Sequence, residues 1–179
     1  MRHTFILLTY ILFTLTACAQ SHPEKEIHWL SIEEAQNLMK QVPKKVYIDI
    51  YTDWCGWCKV MEKKTFSNPS VIDYMNQNYY AVRLDAETAK SLYFNGKTYG
   101  RLPDSKTNEL AAEFMQYKLS YPTSIFCDER FANPNPVPGY LDVPTIEMIL
   151  KYIGTNQHKS IPFDKYKESF KATWPVLAP

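Results

Sequence analysis

The hydrophobic and polar positions along the chain change between strand-like and helix-like spacing, as is typical of an α/β protein. The strongest strand signal runs from Val46 to Tyr51, where a single aspartate interrupts β-branched and aromatic residues. Such a run fits a central strand that is covered on both faces. Directly after Thr52 and Asp53 the apolar residues take helical spacing, which continues to about Lys64. The pattern therefore predicts a strand that leads straight into a helix.

Further elements follow these two spacings on both sides of this unit. Strands are predicted at about 27–30, 79–85, 121–128 and 137–141, with the first at an edge of the sheet. Helices are predicted at about 31–41, from 69 onward, at 109–117, at 143–153 and, as an amphipathic stretch, at 163–173. Two helices carry start signals, because Ser31 and Glu34 form a capping box and Asn68 precedes a proline at the first helical position. The succession predicts a central mixed sheet flanked by helices.

A long connection, residues 86–118, separates the strand at 79–85 from the strand at 121–128. Within it, Asn95 and Gly96 lie between strand-forming residues, which is the strongest short-range signal for a β-hairpin. This insertion has two interpretations: it covers an edge of the sheet, or it forms a lid that faces a substrate. The first is favoured, because insertions in connecting loops are generally tolerated.

Two cysteines, Cys55 and Cys58, lie where the central strand passes into the helix. At the N-cap position, Cys55 lies against free backbone N–H groups and the positive end of the helix dipole, which stabilise a thiolate. Helix N-termini and Cys-x-x-Cys spacings lower a cysteine pKa from about 8.5 to roughly 3.5–7.5. Cys58 follows one helical turn later and can close a disulfide with Cys55. We expect Cys55 to be the exposed nucleophile and Cys58 the shielded, resolving cysteine.

Zinc binding is the competing interpretation of this spacing, but a structural zinc site requires a second pair of ligands. Only Cys18 and Cys127 remain among the four cysteines, and the four histidines are scattered along the chain. The sequence therefore predicts no metal site. Since free cysteines are among the most buried residues, we expect Cys127, inside a predicted strand, to belong to the core and not to be a third redox thiol.

Asp49 is a carboxylate inside an otherwise apolar strand, six residues before Cys55. Burying a carboxylate is costly, and no salt-bridge partner for Asp49 is evident in the sequence. An aspartate at an exposed strand edge is the simpler interpretation, but the neighbouring Ile48 and Ile50 argue against it. A buried carboxylate at this position implies a purpose other than packing.

The stretch from Asp49 to Cys58 resembles thioredoxin, whose family places a buried aspartate six residues before the first cysteine. The resemblance implies an α/β thioredoxin-like fold in which Asp49 accepts a proton from Cys58, after burial has raised the pKa of its carboxyl group. It also implies a cis-proline at Pro122 that packs against the disulfide, while the backbone of Tyr121 pairs with a bound peptide. The alternative is a trans proline at the start of a strand.

A longer succession of residues resembles a periplasmic branch of thioredoxin-like proteins of Bacteroidetes type. It consists of Trp-Cys-Gly-Trp-Cys-Lys, Met-Glu, Thr-Phe, Asn-Pro, Val, Asn and an apolar strand that ends in Leu-Asp. This resemblance covers most of the mature domain. Trp54 and Trp57, which each precede a cysteine, are expected to contact the substrate together with Tyr121 and Pro122.

Residues 1–17 are expected to be a signal peptide and not part of the fold. After a basic start, the apolar run is shorter than the ~20 residues that a membrane-spanning helix needs. The run ends in Leu-Thr-Ala-Cys, which resembles a bacterial lipobox and implies that Cys18 is lipidated. The alternative is an ordinary signal peptide cleaved after Ala17 or Ala19, with Cys18 present by chance. Both place the mature protein outside the cytoplasm, and lipidation anchors it to a membrane, facing the periplasm or the cell surface.

Composition bounds the remaining organisation. The chain has 20 basic and 19 acidic residues, and loss of the signal peptide removes only Arg2 from this balance. A formally neutral mature chain gives no reason to expect a nucleic-acid partner. Four cysteines, one of them assigned to lipid, exclude a small fold held together by disulfides. We expect a tether at 18–26, a thioredoxin-like domain at 27–154 with its insertion at about 86–118, and a C-terminal extension at 155–179 packed on that domain.

The sequence thus predicts a thiol–disulfide oxidoreductase that acts on protein thiols or disulfides outside the cytoplasm. Cys55 would form a mixed disulfide with the substrate, and Cys58 would resolve it. No diffusible cofactor is needed, because the cysteine pair carries the electrons, but a membrane redox partner that recharges the pair is implied. The alternative is a redox-inactive or copper-carrying lipoprotein on the thioredoxin fold, although copper carriers space their cysteines differently and add a histidine. A purely structural lipoprotein is a third hypothesis.

Overall fold

A computed structural model of the chain describes residues 26–176. The expected signal peptide, Cys18 and nearly all of the tether lie outside this range. The strands within it are β1 (Trp29–Leu30), β2 (Lys45–Tyr51), β3 (Tyr79–Asp85), β4 (Leu92–Phe94), β5 (Lys97–Tyr99), β6 (Thr123–Cys127) and β7 (Asn135–Pro138). The helices are α1 (Ile32–Gln41), α2 (Gly56–Lys64), α3 (Pro69–Asn78), α4 (Glu109–Phe114), α5 (Val143–Gly154) and α6 (Phe163–Ser169), with 3-10 turns at Glu129–Phe131 and Gln157–Lys159. None of these helices is both long and apolar enough to cross a bilayer.

Five strands form one mixed sheet in the order β1-β3-β2-β6-β7, and β4 and β5 form a separate hairpin. The central strand, β2, is parallel to β3 and antiparallel to β6. Alternate side chains of β2 serve opposite faces of the sheet: Ile48 and Ile50 pack with α1 and α4, whereas Tyr47 packs with α3 and α5. The predicted mixed sheet flanked by helices is confirmed.

The helix starts follow the local signals in the sequence. Glu34 N–H donates to the Ser31 side chain at 3.2 Å, and Ser31 N–H donates to the Glu34 carboxylate at 2.8 Å, so the capping box of α1 is complete. The Asn68 side chain accepts from the Ser70 N–H at 3.0 Å at the start of α3. These contacts satisfy backbone donors that a helix leaves free, which explains why both starts were predictable.

Two predicted element ends are wrong. The final strand is predicted at 137–141, but β7 spans Asn135–Pro138. Gly139 follows with φ of +95°, a left-handed conformation that glycine adopts without strain and that ends the strand. The helix predicted at 109–117 ends at Phe114, because Gln116 and Tyr117 both take positive φ.

The predicted hairpin of the insertion is confirmed, but it packs on α1. Gln36 of α1 donates to the Tyr93 carbonyl at 2.8 Å and accepts from the Asn95 N–H at 2.9 Å. The Phe94 ring lies edge-on to Phe114, with ring centroids 5.4 Å apart, and so fills the core between the hairpin and α4. The hairpin therefore covers a helix face and not the sheet edge where we expected it.

The C-terminal residues pack on α5 and α3. The buried Glu147 of α5 accepts hydrogen bonds from the backbone N–H groups of Thr173 and Trp174, each at 3.0 Å. The Asn68 side chain donates to the Pro175 carbonyl at 2.7 Å, and the Trp174 ring lies 5.4 Å from the Tyr74 ring. The extension is thus held by specific polar contacts as well as by apolar packing.

Candidate active site

The disulfide between Cys55 and Cys58 lies at the passage from β2 into α2. The Cys55 N–H donates to the Thr52 carbonyl at 3.1 Å, which forms the turn that ends the strand. Cys55 is the N-cap of α2, and its Sγ accepts from the Cys58 N–H at 3.1 Å. The two Cα atoms are 5.3 Å apart, within the usual range for a disulfide. The predicted N-cap position of Cys55 is confirmed.

The two cysteines do not differ in exposure. Each has an exposed fraction of 4%, so the expectation of an exposed Cys55 and a shielded Cys58 is wrong for the oxidised protein. The physical reason is that exposure depends on which parts of the fold surround the disulfide, and the position of a cysteine at the helix N-terminus does not fix it. Any chemical difference between the cysteines therefore comes from the helix end, where the backbone N–H of Cys58 is directed at the Cys55 sulfur.

Asp49 lies in the middle of β2, where it is buried and faces Arg83 of β3 in the register of the parallel strands. Arg83 Nε lies 3.6 Å from Asp49 Oδ2, which is too far for a hydrogen bond but close enough for charge attraction. The other two guanidinium nitrogens donate to Glu62 of α2 at 3.2 and 3.0 Å. Asp49 therefore has a cationic neighbour, which corrects the expectation that it has none.

Burial sets the proton affinity of Asp49. It raises the pKa of the carboxyl group from its ordinary value of 3.8 to about 7, while the positive charge of Arg83 opposes the rise and the negative charge of Glu62 adds to it. A carboxyl group with a pKa near neutrality can both take and return a proton at physiological pH. The predicted burial and raised pKa of Asp49 are confirmed.

A small polar cavity of about 190 Å³ opens beside Cys58. Thr52, Glu62 and Arg83 form part of its wall, and the Thr52 hydroxyl has no hydrogen-bond partner among the described residues. A cavity of this size and polarity has room for water. Water in this cavity can therefore carry protons to or from Cys58.

Four aromatic rings flank the disulfide. The peptide bond between Tyr121 and Pro122 is cis, as predicted, and the Tyr121 ring lies edge-on to Trp54 at 5.7 Å between centroids. Trp57 lies 5.6 Å from Tyr140 on the loop after β7. Trp54 and Trp57 expose 65% and 61% of their surface, which is unusual for such large apolar side chains and is typical of contact surfaces.

Cys127 takes no part in this site. It is a free, fully buried thiol in β6, and burial raises its pKa to about 12. A thiol that stays protonated is a poor nucleophile, so the prediction that Cys127 is a core residue is confirmed. Among residues 26–176, no group of three or more His, Cys, Asp and Glu side chains lies close enough together to hold a metal ion.

Three residues of the site were missed in the sequence: Glu62, Arg83 and Tyr140. Arg83 carries a detectable signal, because it is a charged residue between Val82 and Leu84 in a buried strand, as Asp49 is between two isoleucines. Pairing the two depends on the register of β2 and β3, which local patterns do not fix. No pattern in the sequence points to Tyr140, because only the path of the chain after β7 brings it to Trp57.

The fold and the site together define a thioredoxin-fold protein with a disulfide of Cys-x-x-Cys type. Residues 15–95 match the family model described as Thioredox_DsbH, protein of unknown function, DUF255. The chain is also similar to thiol:disulfide interchange protein DsbD of Vibrio vulnificus strain YJ016, with 40% identity over 62 residues, or 33% of this chain and 10% of DsbD. The chain spans about a tenth of the length of the DsbD proteins that it matches.

Solved structures agree on the fold. DsbH oxidoreductase is 18% identical with a TM-score of 0.52, and the match covers 74% of this chain and 88% of DsbH. A thioredoxin-fold protein from Helicobacter pylori is 16% identical with a TM-score of 0.56, over 83% of this chain and 89% of the other. The comparisons support a relationship to thioredoxin-like thiol–disulfide oxidoreductases of the DsbD and DsbH type, whereas the Bacteroidetes-type lipoprotein branch stays a prediction.

Proposed function

We propose that the protein is a thiol–disulfide oxidoreductase that exchanges disulfides with protein substrates outside the cytoplasm. The observation that carries this proposal is the Cys55–Cys58 disulfide at the N-terminus of α2, together with the buried Asp49, of pKa about 7, in the strand that leads into this helix. Its similarity to DsbD over 62 residues supports the same class of reaction.

In the first step of a reductive cycle, the Cys55 thiolate attacks one sulfur of a substrate disulfide. A Cys55–substrate bond forms, the substrate disulfide breaks, and the second substrate sulfur leaves as a thiolate. The N-terminus of α2 favours this step, because the Cys58 N–H, 3.1 Å from the Cys55 sulfur, stabilises negative charge there.

In the second step, Cys58 attacks the Cys55 sulfur and releases the substrate as a second thiolate. Cys58 must first lose its proton, and we assign Asp49 as the acceptor, acting through water. Asp49 does not line the cavity beside Cys58, but its neighbour Arg83 does, so a water there has a short path to the carboxylate. The product is the disulfide seen in this structure, so a thiol partner must reduce it before the next turnover. We place that partner at the membrane, where a lipidated Cys18 would hold the protein.

The aromatic rings around the disulfide give the substrate a contact surface. Trp54, Trp57 and Tyr121 are positioned to pack on apolar side chains next to a substrate cysteine, and the backbone of Tyr121, which precedes Pro122, would pair with an extended substrate segment. Two exposed tryptophans favour protein over small-molecule substrates, since aromatic residues dominate the energetics of protein contacts.

Insulin reduction by dithiothreitol, with and without the protein, tests the function. The wild type should accelerate precipitation of the insulin B chain, and Cys55→Ser should abolish the acceleration. Cys127→Ser is the matched control, because it removes a sulfhydryl that is buried outside the site, and it should retain activity. Cys58→Ser should accumulate covalent complexes with substrate that reducing agents release. Full activity in Cys55→Ser would refute the proposal.

A further inference from the structure

A second cavity lies beneath the C-terminal extension. Its volume of about 430 Å³ falls within the range of about 300–1,000 Å³ that is typical of natural small-molecule sites. We call it the C-terminal cavity. Apolar side chains from β6, α5 and α6 line most of it, among them Phe126, Ile149, Tyr152 and Phe163.

The C-terminal cavity is separate from the disulfide. Asp128, which lines the cavity, follows the last residue of β6, whereas the cis Pro122 precedes the first. The five residues of β6 extend roughly 17 Å, so Asp128 and Pro122 lie at opposite ends of this strand, and neither cysteine lines the cavity. The thiol–disulfide exchange described above has no use for the C-terminal cavity.

One wall of the cavity consists of aromatic rings set at steep angles. The Tyr152 ring lies 5.2 Å from Phe163 with an interplanar angle of 63°, and 6.0 Å from His158 with an angle of 68°. Aromatic rings prefer such edge-to-face and offset arrangements. A flat aromatic ligand can therefore make a further ring–ring contact with Tyr152 or Phe163. A flexible aliphatic ligand would gain only the burial of its apolar surface.

Asp128 gives the cavity a polar end with acceptor capacity. Its Oδ1 accepts from His158 Nε2 at 2.9 Å and from Lys45, and its Oδ2 accepts from Asn133 at 3.0 Å. A carboxylate offers about four acceptor positions, so Oδ2 can take one more donor. Burial alone would raise the pKa of Asp128, but hydrogen bonds from Lys45 and Asn133 hold this pKa well below its usual range. The carboxylate therefore stays charged and remains an acceptor.

The charges around this polar end nearly cancel. Lys45 forms ion pairs with Asp128 and, at 3.2 Å, with Glu129, and Lys159 lies 3.9 Å from Asp128. An anionic ligand would meet the two carboxylates, and a cationic ligand would meet the two ammonium groups. A neutral ligand avoids both penalties, because it brings no charge into a partly buried site.

We propose that the C-terminal cavity binds a small neutral molecule that has an aromatic body and one hydrogen-bond donor directed at Asp128. The aromatic body packs against Tyr152 and Phe163, and the donor occupies the remaining acceptor position of Oδ2. This site is independent of the proposed exchange reaction and stands if that reaction is refuted.

The test uses the full chain with three probes of one shape: 2-naphthol, naphthalene and 2-naphthoate. Methyl NMR should show saturable shifts for Ile149 and Ile153, which line the cavity, when 2-naphthol is added. The methyls of Ile48 and Ile125, in the core on the other face of the sheet, should not shift. Naphthalene should bind about tenfold more weakly, because it lacks the donor, and 2-naphthoate weaker still.

Val137→Phe fills the cavity from β7 and should abolish the shifts, whereas Val42→Phe places the same ring at an exposed position at the end of α1 and should leave them unchanged. Insulin reduction should be the same in both variants. Scattered or unsaturable shifts in the wild type would overturn the site. Undiminished binding of 2-naphthol in Val137→Phe would also overturn the site. If 2-naphthoate bound as tightly as 2-naphthol, the assignment of a neutral ligand with a donor would be wrong.

Discussion

Asp49 is the residue whose environment and proposed chemistry are most closely linked. Among residues 26–176, Arg83 is the one cation that lies within ion-pair distance of it, and the hydrogen bonds of Arg83 go to Glu62. The Arg83 guanidinium is also held over the rings of Tyr51 at 4.6 Å and Trp29 at 5.7 Å. Arg83 therefore cannot turn to bond Asp49 fully without losing other contacts, and the carboxyl group keeps a proton affinity suited to neutral pH.

The release of substrate from a preformed mixed disulfide should therefore depend on pH through Asp49. In the wild type we expect the rate to rise as pH increases through about 7, because the acceptor must be deprotonated before it can take the Cys58 proton. Asp49→Asn should slow release by roughly 10²–10⁴-fold, the usual contribution of a positioned base. Stopped-flow single-turnover measurements between pH 5.5 and 9 give both results.

The first attack by Cys55 should change little in Asp49→Asn, since the helix end and not Asp49 stabilises that thiolate. Covalent complexes should accumulate in this variant, though less than in Cys58→Ser. Unchanged release per folded molecule, with an unchanged pH profile, would show that Asp49 is a structural residue.

The same substitution should change stability in a pH-dependent way. The folded pKa of Asp49 is raised from 3.8 to about 7, so the folded state binds the extra proton between these values and loses stability as pH rises through them. Asp49→Asn does not titrate, so from pH 5 to pH 8.5 the wild type should lose about 2–4 kcal/mol relative to the variant. Urea unfolding of the oxidised proteins measures the difference, and a gap that is constant with pH would contradict the raised pKa.

Residue chemistry was predictable where it depends on neighbours in the chain. The N-cap cysteine and the buried aspartate follow from a few adjacent positions. The approach of Arg83 and Glu62 to Asp49 was not predictable, because a strand register and a helix orientation bring them there from sequence positions more than ten residues away. The predicted exposure of Cys55 was wrong for a similar reason, because that exposure depends on which rings and loops surround the disulfide.

Among the elements, α2 matters because its N-terminus makes the two cysteines unequal. In the reduced protein, the Cys58 N–H and the helix dipole act on the Cys55 sulfur, whereas Cys58 lies inside the first turn. Limited alkylation with iodoacetamide at acidic pH should therefore modify Cys55 well before Cys58. Peptide mapping by mass spectrometry identifies the site, and equal rates or faster modification of Cys58 would reverse the assigned roles.

The contact between α5 and the C-terminal extension depends on Glu147. This buried carboxylate accepts from Thr173 N–H, Trp174 N–H, the Thr173 hydroxyl and Lys151. Glu147→Gln presents an amide donor to backbone donors, so we expect a loss of about 1–3 kcal/mol in stability and faster tryptic cleavage after Lys171. The control Glu168→Gln alters an exposed carboxylate on α6 and should change neither the stability nor the rate of tryptic cleavage.

The ends of elements were predictable where capping residues mark them. They were less predictable where pairing between strands decides how far a strand extends. α1 and α3 begin at their predicted caps. β7 was placed two residues late, because its extent is decided by pairing with β6, from Asn135 opposite Phe126 to Pro138 opposite Thr123. The apolar Leu141 suggested a longer strand, but it is buried beyond the glycine turn.

At the scale of the whole molecule, the insertion and the C-terminal extension pack on opposite faces of the sheet and leave the disulfide end accessible. Under the proposed function, a lipid anchor at Cys18 would hold the protein to a membrane while the disulfide meets its substrates. Cys18 lies outside the described residues, and its lipidation is a proposal that labelling can test. Metabolic labelling with an alkyne fatty acid should mark the wild type and not Cys18→Ala, and a labelled Cys18→Ala would refute the lipobox assignment.

The two edges of the sheet have a consequence for how these molecules behave together. β1 is only two residues long, and β7, at the other edge, contains Pro136 and Pro138, which have no N–H to offer a further strand. A second molecule therefore finds little backbone to pair with at either edge. The edges of the sheet therefore do not favour growth into intermolecular assemblies, so we expect molecules at high concentration to stay separate from one another.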